Sequence, residues 1–127
     1  MNIDQTTYSA VLGVVLANIR TFQGVEQKDM AQRMGLSQAS YSRLEGGKSA
    51  FSVDQMFQAA SALSVPGDEL HRQLNATISQ LQNNGITVNP QLRGNTTQAK
   101  KEEGSGMGHL LVGAALGALL IGLLSKK

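Results

Sequence analysis

The chain has 127 residues, which predicts one domain with a single core. Hydrophobic residues make up 41% and charged residues 16%, a balance that excludes wholesale disorder and a coiled-coil rod. Eleven basic and nine acidic residues leave a net charge of +2, which excludes a protein that coats nucleic acid non-specifically. The absence of cysteine excludes disulfides, thiolate catalysis and thiolate metal sites.

Composition divides the chain into three zones. Residues 7–83 are periodic and predict an all-α domain, residues 84–105 are polar and predict a flexible linker, and residues 106–125 are apolar and rich in glycine. The domain contains five predicted helices. The first is capped by Ser9 and ends at Gly24, and its inward stripe is Val11, Leu12, Val15, Leu16 and Ile19.

The second and third helices follow closely. The second covers Gln27–Met34 and stops at Gly35, and the third runs from its cap Ser37 to Glu45. The fourth begins at Ser52 or Asp54, with inward positions predicted at Val53, Met56, Phe57, Ala60 and Leu63.

The fifth helix begins near Pro66 and carries the stripe Leu70, Leu74, Ile78 and Leu81. The end of that stripe has two interpretations: it forms a dimer contact, or it covers the underside of the same core. A brief extended segment is predicted at 85–88.

The segment from Gln27 to Lys48 has the features of a helix-turn-helix. Ala31 is small where two helices cross, and Gly35 makes the turn. Three side chains, Leu36, Tyr41 and Leu44, are predicted to plug the core beneath the third helix. The residues left on the outer face are Gln38, Ala39, Ser42 and Arg43. Glutamine can pair with adenine, and arginine with guanine or a phosphate, so this face suits the major groove of DNA.

This segment resembles the phage repressor and Cro (XRE-like) family of helix-turn-helix domains, and the resemblance spans about Ser9 to Leu74. It implies a compact five-helix repressor-type domain that binds double-stranded DNA. It further implies that Gln27 touches a phosphate and supports Gln38, and that Lys48 contacts the DNA backbone. The DNA-binding residues are then Gln27, Gln38, Ala39, Ser42, Arg43 and Lys48. By the same resemblance, Arg20 and Glu45 form a buried structural ion pair.

The charge of the domain weighs against simple DNA binding. Six basic and six acidic residues between positions 9 and 83 leave it neutral. Because neutralised phosphates supply most of the affinity for DNA, we expect a homodimer on a palindromic site. The alternative is that the same fold binds a protein.

The C-terminal zone predicts a transmembrane helix at 106–125, within an uncharged run from Gly104 to Ser125. Gly113 and Gly117 form a GxxxG pair, and Gly122 extends the small-residue face by which membrane helices pack. The alternative is a core helix of the soluble domain.

No metal site is predicted, since the two histidines, His71 and His109, are isolated from other potential ligands. No cofactor or enzymatic activity is predicted either, since the sequence has no nucleophile–base set, paired carboxylates or phosphate loop. The sequence therefore predicts a repressor-type transcriptional regulator. We expect it to be dimeric and tethered through its C-terminus to the lipid bilayer, at the cytoplasmic face of the inner membrane. The alternative is a membrane-anchored adaptor that binds a protein, as implied by the resemblance to a bacterial cell-shape protein that joins such a domain to a membrane helix.

Overall fold

A computed structural model describes residues 4–90 and 110–125. Within these ranges the chain forms six α-helices and two short strands. In chain order they are β1 Gln5–Thr7, α1 Tyr8–Gln23, α2 Gln27–Met34, α3 Gln38–Glu45, α4 Val53–Ala62, α5 Gly67–Asn83, β2 Thr87–Asn89 and α6 Gly113–Ser125. The all-α prediction and its five helices are confirmed, and the sixth helix, α6, lies in the apolar C-terminal zone.

Helix α1 is the centre of the core. Every residue from Ala10 to Leu16 is buried, because α3, α5, α6 and β1 surround this part of the helix. Gly13 allows the closest of these approaches. A Cβ atom at this position would lie 2.3 Å from the carbonyl oxygen of Glu45, so only glycine permits α1 to cross the end of α3 at this distance.

The start of α1 differs from the prediction. Thr7, and not Ser9, is the N-cap, and its side chain accepts a hydrogen bond from the backbone N–H of Ala10. The Ser9 hydroxyl instead accepts a hydrogen bond from the backbone N–H of Phe51, 2.9 Å away. The helix begins earlier because Thr7 ends β1, whose extended backbone suits a cap residue.

The predicted inward stripe of α4 is wrong at two positions. Val53 is 67% exposed and Phe57 is 55% exposed. The helix instead turns Ala59, Ala60 and Leu63 into the core, and Ser52 begins it with a full capping box. This orientation follows from packing against both α2 and α5, whose positions the periodicity of α4 does not encode.

Helix α5 buries its predicted stripe in its own core. Its buried residues are Leu70, Leu74, Ile78 and Leu81. After the helix, Ile86 and Val88 are also buried, and β2 pairs in parallel with β1 through Thr6 and Val88. The end of α5 thus packs on the core of its own chain, which was one of the two interpretations of its apolar stripe. The predicted extended segment corresponds to β2. Its partner β1 was not predicted.

The predicted transmembrane helix at 106–125 is not supported. Helix α6 begins at Gly113 and packs on α1, with Leu116 fully buried and Leu120 5% exposed. At 1.5 Å per residue its 13 residues span about 20 Å, against about 30 Å of hydrocarbon in a bilayer. No helix in the described part of the chain has the length and apolarity needed to cross a membrane. Residues 91–109, which hold most of the predicted linker, lie outside the described ranges.

The three glycines predicted to pack membrane helices have different surroundings. Gly113 starts α6 with a positive φ of 57°, and a Cβ atom there would lie 3.3 Å from the carbonyl oxygen of Gly46. At Gly117 and Gly122 an added Cβ would meet no described atom within 4 Å beyond the adjoining residues and backbone of α6 itself. Gly113 therefore contacts the backbone that follows α3 rather than a second membrane helix.

Candidate nucleic-acid interface

Helices α2 and α3 are joined by a tight turn. Gly35 adopts a φ of 71°, and the next residue, Leu36, returns its N–H to the carbonyl of Ala31 at 2.9 Å. Ser37 then caps α3 by accepting the N–H of Ser40 at 3.1 Å. The turn redirects the chain within three residues, because glycine tolerates positive φ and serine satisfies a free N–H of the new helix.

The inner faces of the two helices are held by apolar contacts. Met30, Ala31 and Met34 of α2 are buried, and so are Tyr41 and Leu44 of α3. This burial fixes which side of α3 faces solvent.

The outer face of α3 presents the predicted reading residues. Gln38, Ala39, Ser42 and Arg43 are all exposed. Within residues 4–90 and 110–125, no hydrogen bond or ion pair engages the side chains of Gln38, Ser42 or Arg43. Their donors and acceptors are therefore available to a ligand that lies along the helix.

Beneath α3, Arg20 and Glu45 form a two-pronged ion pair. Arg20 Nε donates to Glu45 Oε2 at 2.8 Å, and Nη2 donates to Oε1 at 2.9 Å. Arg20 also donates from Nη1 to the carbonyl of Val25 at 2.8 Å, which secures the connection between α1 and α2. The pair is nearly buried, with side-chain exposures of 13% for Arg20 and 8% for Glu45. It thus ties the last residue of α3 to α1.

The carboxylate of Glu45 also accepts two neutral donors. Gln27 Nε2 donates to Oε1 at 2.7 Å, and the Tyr41 hydroxyl donates to Oε2 at 2.8 Å. Gln27 was predicted to touch a phosphate and support Gln38, but its amide N–H₂ is directed to this carboxylate. The role of Tyr41 was missed, although its spacing of four residues before Glu45 on one helix was visible in the sequence.

The network shifts two pKa values. The hydrogen bond from Arg20 to Glu45 raises the pKa of the guanidinium, against the opposing effect of burial. Burial raises the pKa of the Tyr41 hydroxyl, and the charge of Glu45 raises it further. Both groups therefore remain protonated donors at neutral pH, so the carboxylate that anchors α3 keeps its partners.

The charges of the domain are distributed unevenly. The segment from position 27 to 48 carries four basic residues, Lys28, Arg33, Arg43 and Lys48, and two acidic ones, Asp29 and Glu45. Of these, Glu45 is neutralised by Arg20, and Arg33 donates to the carbonyl of Ala62 at 2.9 Å. The remaining acids between positions 9 and 83 are Glu26, the N-cap of α2, Asp54 on α4, and Asp68 and Glu69 on α5. The segment from position 26 to 48 therefore holds four basic and three acidic residues, and the acid Glu45 is already paired with Arg20.

Lys48 follows α3 at the edge of this face. Its side chain is exposed, and its backbone N–H donates to the carbonyl of Arg43 at 2.9 Å. The turn through Gly46 and Gly47 thereby holds it close to the end of the helix.

The one histidine that the structure describes, His71, belongs to no metal-binding cluster. His71 lies exposed on α5, while His109 falls outside the described ranges. Among the described residues, no cluster of three or more histidines, cysteines or carboxylates could hold a metal ion.

The fold and this surface define a helix-turn-helix domain. Residues 11–73 match the family described as "Helix-turn-helix domain". This part of the chain, just under half of it, is therefore similar to helix-turn-helix domains. No curated protein matches the sequence.

Solved structures have the same fold. The clp gene regulator ClgR from Corynebacterium glutamicum is 20% identical, with a TM-score of 0.55, over 77% of this chain and 93% of that one. The restriction-modification controller protein C.Esp1396I is 19% identical, with a TM-score of 0.55, over 57% of this chain and 95% of that one. At this identity the likeness establishes the fold, and it agrees with the resemblance seen in the sequence.

Proposed function

We propose that this protein is a sequence-specific, repressor-type transcriptional regulator that inserts α3 into the major groove of double-stranded DNA. The observation that carries the proposal is the outer face of α3, whose polar side chains are exposed and unengaged by any described residue. The inner face of the same helix is locked by apolar burial and by the Glu45 network. A helix with a fixed inner face and an open polar outer face is suited to reading base edges.

Each residue of the outer face has a distinct role. Gln38 is suited to adenine N6 and N7, and Arg43 to guanine O6 and N7 or to a phosphate. Ala39 offers a methyl group to thymine, while Ser42 can donate or accept at either type of base pair. Lys48, at the edge of the helix, contacts the phosphate backbone.

Two copies of the chain are proposed to bind together. Since only a few cations lie on the α3 face, one copy makes few phosphate contacts and binds weakly. A two-fold dimer on a palindromic site doubles those contacts and places the two α3 helices about 34 Å apart, one turn of DNA.

A second candidate is an adaptor that binds a protein through the same helix face. The observation in its favour is the equal number of acidic and basic residues between positions 9 and 83. The charge of α3 itself favours DNA, because Arg43 is an exposed cation and the other charged residue of the helix, Glu45, is buried and paired with Arg20.

The test is crosslinking and sequencing of DNA recovered with the full-length protein, run beside the double variant Gln38→Ala/Arg43→Ala. A matched control, Gln82→Ala/Arg72→Ala, removes the same two side-chain types from the exposed surface of α5. We expect discrete palindromic peaks for the parent and the control, and none for the α3 variant. Peaks that survive in the α3 variant, or no peaks for a stable parent protein, would overturn the proposal, and the latter outcome would favour the adaptor.

A further inference from the structure

The C-terminal segment closes over the end of α3. An added Cβ at Gly47 would lie 2.9 Å from the Cβ of Val112, which shows how tightly this segment meets the turn after α3. The backbone N–H of Leu111 donates to the carbonyl of Gln5 at 2.7 Å, and the buried hydroxyl of Thr6 donates to the carbonyl of Leu111. The segment therefore extends the edge of β1 and packs on the turn between α3 and Lys48.

Helix α6 differs from the other five helices in having no polar face. None of its residues from Gly113 to Ser125 is charged. Its inner side is buried at Leu116 and Leu120, while Ala114 and Ala118 on its other side are exposed. Leu110, just before the helix, is 60% exposed. A helix that is apolar on all sides is normally buried on all sides, and packing on α1 satisfies only one of them.

The charges that flank this helix indicate what could cover its other side. Lys126 and Lys127 follow it directly in the sequence. Cations at the end of an uncharged apolar helix are complementary to a surface with an apolar interior and anionic headgroups. A bilayer with anionic lipids has both properties, and it can surround the whole helix.

We propose that α6 exchanges between its docked position on α1 and an anionic lipid bilayer, and that its departure loosens the end of α3. The helix spans about 20 Å, so it enters the bilayer without crossing it. The DNA-related part of this inference rests on the function proposed above, and the lipid-related part does not.

The coupling is reciprocal by thermodynamic necessity. If lipid lowers the affinity for DNA, DNA lowers the affinity for lipid by the same factor, which for coupled sites is about 5-fold to 150-fold. A regulator with this property binds DNA when α6 is docked and releases it at the membrane surface.

The first test is flotation of the full-length protein with vesicles of phosphatidylcholine and phosphatidylglycerol. The variant Ala118→Lys places a charge on the exposed side of α6, and the matched control Ala76→Lys places the same charge on an exposed position of α5. We expect the parent and the control to float and Ala118→Lys to remain in solution. Failure of the parent to float, or equal flotation of both variants, overturns the exchange. Loss of self-association in Ala118→Lys, without any vesicle binding by the parent, would identify a second copy as the occupant and also overturn it.

The second test measures backbone amide exchange with and without vesicles. We expect vesicles to speed exchange at Leu111, bonded to Gln5, and at Lys48, bonded to Arg43, in the parent but not in Ala118→Lys. Flotation with unchanged exchange at Lys48 overturns the coupling to α3. Neither experiment uses DNA, so failure of the proposed regulatory function is detected separately, by the crosslinking experiment.

Discussion

The buried ion pair beneath α3 provides the sharpest test of how this fold is held together. Replacing Arg20 with leucine removes two hydrogen bonds to Glu45, of 2.8 and 2.9 Å, and one to the carbonyl of Val25. It leaves a carboxylate that is only 8% exposed without its countercharge. Removing one partner of a buried pair costs about 3–5 kcal/mol.

The structure places this substitution near the lower end of that range. Gln27 and Tyr41 still donate to Glu45, at 2.7 and 2.8 Å, so the carboxylate keeps two neutral partners. We expect Arg20→Leu to lose about 3 kcal/mol of unfolding free energy. For a small domain this corresponds to a fall of about 12–24 °C in melting temperature.

The assay is thermal and urea denaturation followed by circular dichroism. The control is Arg72→Leu, which breaks the exposed pair between Arg72 and Glu69 on α5 and should leave the melting temperature nearly unchanged. A double replacement, Arg20→Met/Glu45→Met, should recover part of the loss because no unpaired charge remains buried. The reasoning would be refuted if Arg20→Leu melted no lower than Arg72→Leu.

Three further predictions concern the core. Leu116→Ala should lower the free energy of unfolding, measured by urea denaturation, by about 2–5 kcal/mol. The control Leu110→Ala, at a largely exposed leucine, should change it by no more than about 0.5 kcal/mol. Equal effects would mean that α6 does not pack on the core. Gly13→Ala forces a methyl group against the carbonyl of Glu45 and should cost about 1–3 kcal/mol in the same assay, so an unchanged midpoint would contradict the close crossing. Folding raises the pKa of the Tyr41 hydroxyl above that of an unfolded tyrosine, which is near 10. The protonated hydroxyl therefore stabilises the fold fully below pH 10, and this stabilisation is lost as the pH rises further. Tyr41→Phe should therefore reduce stability at neutral pH by about 1.5 kcal/mol and flatten the alkaline decline measured between pH 9 and 11; an identical decline would exclude Tyr41 as its source.

Local sequence patterns correctly predicted the features that depend on residues close together in the chain. The stop at Gly35, the cap at Ser37 and the inward positions of Tyr41 and Leu44 agree with the structure, because turn chemistry and helical period act over a few residues. The exposure of Gln38 and Arg43 follows from the same period. Their contacts with DNA remain a prediction.

Sequence patterns did not predict the features that depend on contacts between distant segments of the chain. The stripe of α4 was misplaced because its orientation depends on α2 and α5 together. Strand β1 was missed because a three-residue strand has no periodicity to detect, and its partner lies more than 80 residues away. The hydrogen bond from Gln27 to Glu45 was not predicted, because the sequence does not show which acceptor the Gln27 amide reaches.

The C-terminal helix separates the two kinds of information most clearly. The sequence by itself determined that this segment is uncharged, apolar and helical, since composition and period are local properties. Only the tertiary structure decided which surface covers Leu116 and Leu120, because they pack on α1, which lies more than 90 residues earlier in the chain. The helix-turn-helix was determined locally and its Arg20–Glu45 pair was expected from the family resemblance, whereas its contact with α6 was decided by the tertiary structure alone.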